Sequence, residues 1–186
     1  MKKGKLFVIS GPSGVGKGSI CRELLKEVDM DLSVSMTTRK PREGEVHGTS
    51  YYFVTEEEFL GELDRGGLLE HAKVYDNYYG TPREAVMQKL EQGRDVLLEI
   101  EMLGAMQVKE AYGDAVTIFV VPPSLEELRS RLEGRGTESR ENIEKRLGKT
   151  KKELEYADQY DYIVVNDSLS DAVDKVKEII AEEKMK

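Results

Sequence analysis

Runs of consecutive apolar residues alternate with helix-like patterns along most of this 186-residue chain. Residues 6–9, 96–100, 116–121 and 162–165 form mainly apolar runs, which are typical of strands buried on both faces of a parallel sheet. Between these runs, apolar residues recur at helical spacing, as in the last stretch of the chain. Its apolar positions are Ala172, Val173, Val176, Ile179 and Ile180. The alternation predicts an α/β fold with a core of parallel sheet flanked by helices.

Two of the predicted helices have recognisable start signals. Thr81, Pro82, Arg83 and Glu84 form a capping-box sequence with proline at the first helical position. A second capping-box sequence begins at Ser124, directly after two prolines. We therefore expect helices to begin at both places.

Two segments interrupt the regular alternation. Residues 35–81 are rich in Thr, Arg, Gly and Tyr and carry short strand signals at 51–54 and around 68–75. Residues 134–150 are dense in Arg and Lys and contain few apolar side chains. We expect a single domain with an inserted lobe at 35–81 and a mobile lid at 134–150. The predicted core consists of the remaining segments, 1–34, 82–133 and 151–186.

The composition of the chain argues against several classes of protein. The net charge of −8 argues against a nucleic-acid binder, which usually has a basic face, so cations for a phosphate ligand must be concentrated locally. A single cysteine, Cys21, excludes a disulfide framework. The apolar stretch after the basic start is too short for a signal peptide, and no run approaches the ~20 apolar residues of a membrane span. We expect a cytoplasmic protein without a membrane or nucleic-acid partner.

A glycine-rich segment follows the first predicted strand and opens the first predicted helix. This is the Walker A spacing in its required context, where backbone N–H groups and the helix N-terminus bind phosphate oxygens. The segment consists of Gly11, Pro12, Ser13, Gly14, Val15, Gly16 and Lys17. The alternative is a glycine-rich turn without a ligand. Gly18 stands where the motif usually has Ser or Thr, and the hydroxyl follows at Ser19.

The segment that follows resembles the guanylate kinase signature at every defined position. The matching residues are Thr37, Thr38, Arg39, Arg42, Glu45, Gly48, Tyr51 and Phe53. Further matches at 77–80, 99–101, 133–137 and 164–167 extend the resemblance along essentially the whole chain. It implies a P-loop kinase fold and transfer of the γ-phosphoryl group of ATP to GMP or dGMP, without a covalent intermediate.

The resemblance also implies the residues of the acceptor site. The GMP-binding positions are Ser35, Arg39, Arg42, Tyr51, Glu70, Tyr79, Thr81 and Glu101. Two arginines three residues apart can clamp one phosphate with charge-assisted bonds, although isolated arginines are more often solvated surface charges. A carboxylate can accept hydrogen bonds from both N1–H and the 2-amino group of guanine, and Glu70 matches that position. Thr81 replaces a common Ser, Glu101 a common Asp, and Leu103 a common Gln.

The resemblance also implies the residues that bind ATP. They are the seven residues of the glycine-rich segment together with Gly18, Ser19 and Asn166. Arg131, Arg135 and Arg146 would close over the ATP phosphates, and the implied catalytic set is Lys17, Arg39, Arg135 and Arg146. Mg²⁺ would accompany ATP, with Ser19 contacting it directly or through water.

Some readings stay open. Glu99 is either a Walker B acid or a strand-end charge. Asn166 and Asp167 match a family position near adenine, and a helix cap is the competing interpretation for Asp167 and Ser168. Cys21, His47 and His71 are read as packing or rim residues. Two other functions remain as alternatives: a catalytically inactive binding module of the same fold, and a related kinase with a non-nucleotide phosphorylated acceptor.

Overall fold

The computed structural model describes residues 2–136 and 138–186, which form an α/β structure. The strands are β1 (Leu6–Ser10), β2 (Asp31–Leu32), β3 (Met36–Thr37), β4 (Tyr52–Phe53), β5 (Leu68–Val74), β6 (Asn77–Pro82), β7 (Val96–Glu99), β8 (Val116–Val121) and β9 (Tyr162–Val165). The helices are α1 (Lys17–Glu27), α2 (Glu56–Asp64), α3 (Arg83–Glu91), α4 (Met102–Ala111), α5 (Leu125–Gly134), α6 (Arg140–Leu154) and α7 (Leu169–Met185). A short 3-10 helix, Ala157–Gln159, follows α6.

The apolar runs of the sequence form the parallel sheet that was predicted from them. Its five strands have the order β2-β7-β1-β8-β9. β2 pairs with β7, β1 with β8 and β8 with β9, all in parallel. Every residue of β1 and the first five residues of β8 are buried, as expected for strands covered on both faces. The prediction of a parallel α/β core is confirmed.

The described residues divide into two compact units. The first contains the residues up to Leu6 together with Met30–Leu98 and Leu103–Ala115. The second contains Phe7–Asp29, Glu99–Met102 and Val116–Lys186. The expected lobe, 35–81, falls within the first unit, and the described part of the expected lid falls within the second. That these segments act as a lobe and a lid stays a prediction, and Thr137 within the lid range lies outside the described residues.

The first unit contains a second sheet of four strands in the order β4-β3-β6-β5. β5 and β6 form an antiparallel hairpin in which Glu70 lies opposite Thr81. The register shifts between Leu68 and Glu70, as in a β-bulge, which changes the direction of the side chains beside it. Phe59 of α2 is fully buried and stacks on Tyr78 of β6, with 5.2 Å between ring centroids.

In the second unit, helices pack through apolar side chains at helical spacing. Leu128 and Leu132 of α5 form a buried cluster with Ile143 and Leu147 of α6. Helix α7 buries the five apolar positions predicted from the sequence, and Ile20 and Leu24 are the fully buried positions of α1. The basic stretch therefore includes a helix with an apolar face of its own.

Helices begin at both predicted places, α3 at Arg83 and α5 at Leu125, but only one of them has the predicted cap. Ser124 caps α5, because its side chain accepts a hydrogen bond from the Glu127 amide. The capping-box prediction at Thr81 is wrong: Thr81 lies in β6, α3 begins at Arg83, and the cap position is Pro82. The physical reason is the backbone of Thr81, which pairs with β5 as part of β6, and its Oγ1 also donates to the buried carboxylate of Glu70 at 2.7 Å.

Across the two described ranges, 2–136 and 138–186, no helix has both the length and the apolar character that a membrane crossing requires.

The turn between β5 and β6 contains the only described residue other than glycine with positive φ. Tyr75 has φ 54° and is 94% exposed. We expect Tyr75→Asn to raise the free energy of unfolding by about 0.5–1 kcal/mol, because asparagine tolerates the left-handed region better than tyrosine does. Chemical denaturation of both proteins measures the change. Tyr156→Asn is the matched control, since Tyr156 is partly exposed but has φ −94°, and an equal gain there would contradict the explanation.

Candidate functional site

The predicted phosphate loop joins β1 to α1 in a compact turn. A β-carbon at Gly11 would collide with the carbonyl oxygen of Val120, so the close approach of these two backbones requires glycine. Gly16 has φ 97° and precedes α1 without a side-chain cap. No acidic residue occupies the first turn of α1. The N-terminal amides of α1 therefore keep their capacity for an anion.

Lys17 lies at the start of α1 and bends back over the loop. Its Nζ donates to the carbonyl oxygens of Gly11 at 2.6 Å and Pro12 at 3.2 Å. Burial lowers the pKa of Lys17, and the negative charge of Glu99 opposes that shift. A half-buried ammonium beside loop amides is a suitable partner for a polyphosphate, which would replace part of its lost hydration.

Asn166 connects the end of β9 to the phosphate loop. Its Nδ2 donates to the Val15 carbonyl at 2.7 Å, and the residue is only 7% exposed. Ser168 is the N-cap of α7, because its Oγ accepts from the Asp171 amide. Of the two readings for this segment, the helix cap therefore applies to Ser168.

The three arginines predicted to close over the ATP phosphates have different surroundings. Arg131 donates to the carbonyl oxygens of Asn166 at 2.9 Å and Asp167 at 3.2 Å, a contact that sequence reasoning missed. Arg146 forms an ion pair with Glu138 at 2.6 Å. Arg135 follows α5 directly and is exposed. Their roles toward ATP phosphates stay predictions.

In the first unit, the structure brings together most of the predicted acceptor clamp, defined as Arg39, Arg42, Tyr51 and Tyr79. The guanidinium carbon of Arg39 lies 5.4 Å from the centroid of the Tyr51 ring. The rings of Tyr51 and Tyr79 meet edge to face with centroids 6.1 Å apart. Arg42 is exposed and joins this group through its backbone amide, which donates to Glu45 at 2.7 Å.

Glu45 binds the centre of the clamp and was not predicted as a site residue. Its carboxylate accepts from Nη1 and Nη2 of Arg39 at 3.0 and 2.9 Å. The Arg39 guanidinium, assisted by the Arg42 amide, lowers the pKa of Glu45 to about 2. The only feature of the sequence that could have indicated a role for Glu45 was its place in the signature, three residues after Arg42.

Glu70 and Thr81 form a buried polar pair on the neighbouring strands β5 and β6. Glu70 is 6% exposed, and its Oε1 accepts the 2.7 Å hydrogen bond from Thr81. Ser35 lies just before β3 and is half-buried, with its carbonyl oxygen accepting from the Tyr52 amide. Glu101 belongs to the second unit and is exposed. Leu103, where a glutamine is common, is 61% exposed.

The remaining candidate nucleophiles and ligands have structural surroundings. Cys21 is buried, and burial raises the pKa of its thiol to about 12, which disfavours the reactive thiolate. His47 Nδ1 accepts from the Phe53 amide. The backbone of His71 exchanges two hydrogen bonds with the Gln107 side chain.

Comparisons with known proteins agree with this geometry. The profile described as guanylate kinase matches residues 3–183. The chain belongs to the guanylate kinase family. A guanylate kinase from Clostridium tetani is 52% identical over 184 residues, covering 99% of this chain and 88% of that protein.

Solved structures extend the comparison to the fold. The crystal structure of a guanylate kinase from Anaplasma phagocytophilum has a TM-score of 0.79 and 36% identity, and covers all of this chain and 88% of that one. A gluconokinase from Sinorhizobium meliloti has a TM-score of 0.54 with 15% identity, over 98% of this chain and 94% of that one, a likeness in fold alone. The P-loop kinase fold is confirmed for this member of the guanylate kinase family.

Members of the guanylate kinase family are phosphotransferases, so a divalent cation is expected to accompany the nucleotide beside the phosphate loop. No group of three His, Cys, Asp or Glu side chains within the described ranges could hold a metal by itself. Oxygen donors do lie beside the loop: Ser19 Oγ accepts from Arg22 at 3.0 Å, and Glu99 Oε1 lies 3.4 Å from the β-carbon position of Gly18. This donor set fits Mg²⁺, which is bound largely by substrate phosphates and water with few protein ligands.

Proposed function

We propose that this chain transfers the γ-phosphoryl group of ATP to the phosphate of GMP, giving ADP and GDP. Its membership of the guanylate kinase family and the full-length likeness to guanylate kinases support the reaction. The same likeness disfavours a kinase with a non-nucleotide acceptor. Lys17 and the loop glycines are present with loop geometry, which disfavours a binding module that has lost catalysis.

The observation that supports the choice of acceptor most directly is the buried pair of Glu70 and Thr81. Guanine presents two adjacent donors, N1–H and the 2-amino group, which one carboxylate can accept. Adenine has neither donor in that position. A buried carboxylate left without these partners carries a desolvation cost, so such a site rejects the wrong base strongly.

The proposed chemistry requires no protein nucleophile and no general base. The phosphate of GMP is itself the anionic nucleophile, so catalysis consists of alignment, exclusion of water and neutralisation of developing charge. The acceptor clamp would hold the GMP phosphate, and Lys17 would bind the β- and γ-phosphates. Arg135 and Arg146 would place positive charge beside the oxygens on which negative charge develops in the transition state.

We further propose that Mg²⁺ accompanies ATP, held beside Ser19 and Glu99 with water between ion and protein. When bound, the ion neutralises charge on the β- and γ-phosphates. Asn166, attached to the loop through Val15, would lie on the adenine side. We also propose that the enzyme works in the cytoplasm, in keeping with its single buried thiol.

The test is steady-state ADP formation from Mg-ATP with GMP, dGMP, AMP, UMP, CMP or no acceptor. We expect strong turnover with GMP, alone or together with dGMP, and little with the others, because only guanine satisfies Glu70. Comparable turnover with every nucleotide would contradict the base-reading role while leaving the kinase assignment intact. Binding of ATP without turnover of any acceptor would favour the binding-module alternative.

A further inference from the structure

The carboxylate of Glu45 accepts three hydrogen bonds from two residues of the acceptor clamp. Its Oε1 accepts from Arg39 Nη2 at 2.9 Å. Its Oε2 accepts from Arg39 Nη1 at 3.0 Å and from the Arg42 amide at 2.7 Å. One side chain thus binds both arginine positions of the clamp, one through its guanidinium and the other through its backbone.

We propose that Glu45 is a positioning residue for the acceptor phosphate, holding Arg39 so that the Nε–Nη2 edge of its guanidinium faces the phosphate of GMP. The inference rests on the proposed function, since it assigns a role at the same acceptor site.

The donors of Arg39 account for this choice of edge. A guanidinium has five N–H groups in one plane, distributed over three edges. Glu45 takes one from each η nitrogen, and the Lys40 carbonyl accepts from Nη1 at 2.8 Å. Nε–H and the second Nη2–H lie on an edge that neither Glu45 nor Lys40 uses. Two parallel donors of this kind match two oxygens of one phosphate.

The aromatic residues around Arg39 limit its orientation further. The Tyr51 and Phe53 rings lie 5.4 and 5.9 Å from its guanidinium carbon. Glu45, and after it Tyr79, raise the pKa of Arg39, so its positive charge is secure. With Glu45 on one edge and these rings close to its guanidinium carbon, Arg39 loses little rotamer freedom when a phosphate binds.

A positioning role and simple charge repulsion predict opposite changes in GMP binding when the charge of Glu45 is removed, which makes the inference testable. The Arg39 guanidinium, with the Arg42 amide, keeps the pKa of this carboxyl near 2, so Glu45 is an anion throughout the neutral range. An anion near a phosphate site repels the ligand, and removing its charge should strengthen GMP binding. If Glu45 instead orients Arg39, removing the charge should weaken binding.

The experiment compares Glu45→Gln and Glu45→Asp with wild type in steady-state kinetics for both substrates. We expect Glu45→Gln to raise KM for GMP about tenfold or more, with KM for ATP unchanged and a smaller effect on kcat. Glu45→Asp keeps both oxygens and should restore part of the loss. Glu43→Gln removes an exposed charge from the same loop and should leave KM for GMP at the wild-type value. An unchanged or lower KM for GMP in Glu45→Gln would overturn the inference.

A double-mutant cycle distinguishes positioning from a general loss of loop structure. In an Arg39→Lys background the two-pronged contact is already gone, so Glu45→Gln should add little further loss. Full additivity of the two changes would overturn the inference. If Glu45→Gln does not fold, Glu45→Asp decides, since a raised KM for GMP supports positioning and an unchanged one refutes it. Absence of GMP-dependent turnover in the wild type would be a failure of the proposed function, recognisable before any variant is made.

Discussion

Replacing Glu70 by glutamine will remove most of the activity with GMP while leaving KM for ATP near its wild-type value. The glutamine oxygen can accept the Thr81 hydroxyl as Glu70 Oε1 does now, which directs an NH₂ group toward the base. Guanine would then meet a donor where it needs an acceptor, in a buried position. We expect kcat/KM for GMP to fall on the order of a thousandfold, the range in which hydrogen-bonded specificity sites discriminate.

Steady-state kinetics with each substrate varied in turn measures this separation. Glu91→Gln is the matched control, because it makes the same chemical change at an exposed position at the end of α3. It should leave both substrates unaffected. Equal losses for ATP and GMP in Glu70→Gln would contradict a base-reading role and indicate a structural one.

Lys17→Met should abolish most of kcat without destabilising the fold. Methionine keeps the length of the side chain but removes the ammonium that would neutralise charge on the transferred phosphoryl group. We expect kcat to fall by about a hundredfold or more. Burial lowers the pKa of Lys17, so its charge is costly to the folded protein without a ligand. The thermal midpoint of the variant should therefore equal or exceed that of the wild type.

Single-turnover kinetics and thermal unfolding, each with and without nucleotide, test both parts of this expectation. Lys26→Met is the control, since Lys26 lies in the last turn of the same helix and forms an exposed ion pair with Glu23. A kcat for Lys17→Met within about threefold of wild type would contradict charge neutralisation by Lys17, because loss of a catalytic electrostatic contact has a far larger effect.

The parallel sheet of the core was predictable because strands that are buried on both faces have mainly apolar sequences. Residues 116–121 are apolar except for Thr117, since both faces of β8 are covered. In the second sheet, β4 and β5 fall within the short strand signals at 51–54 and 68–75, whereas β3 and β6 have no comparable signal. β3 has two residues, and β6 contains Gly80 and Thr81, so their pairing depends on partners distant in the chain. Local propensity cannot report such pairing.

In the candidate site, too, the sequence predicted local features but not contacts between side chains that are distant in the chain. Walker A spacing predicted a glycine-rich turn between β1 and α1, and that turn is present, because its geometry is encoded within a few consecutive residues. Thr81 was wrongly predicted as a helix cap because its partner across the hairpin, Glu70, is eleven positions away. Arg131 donates to carbonyl groups thirty-five and thirty-six positions away, and no local pattern announces such bonds. Residue types suggested the chemistry, while tertiary contacts determined the partners.

The facing positions of Glu70 and Thr81 imply that base selectivity can be altered from a distance. Side chains alternate between the faces of a strand, so a slip of β5 by one residue along β6 would turn Glu70 to the opposite face and bring His71 opposite Thr81. The short turn at Tyr75 and Asp76 fixes that alignment, because hairpin register follows from loop length. An insertion of one residue at this exposed tip would thus change what the proposed pocket recognises without replacing any residue that we propose to read the base.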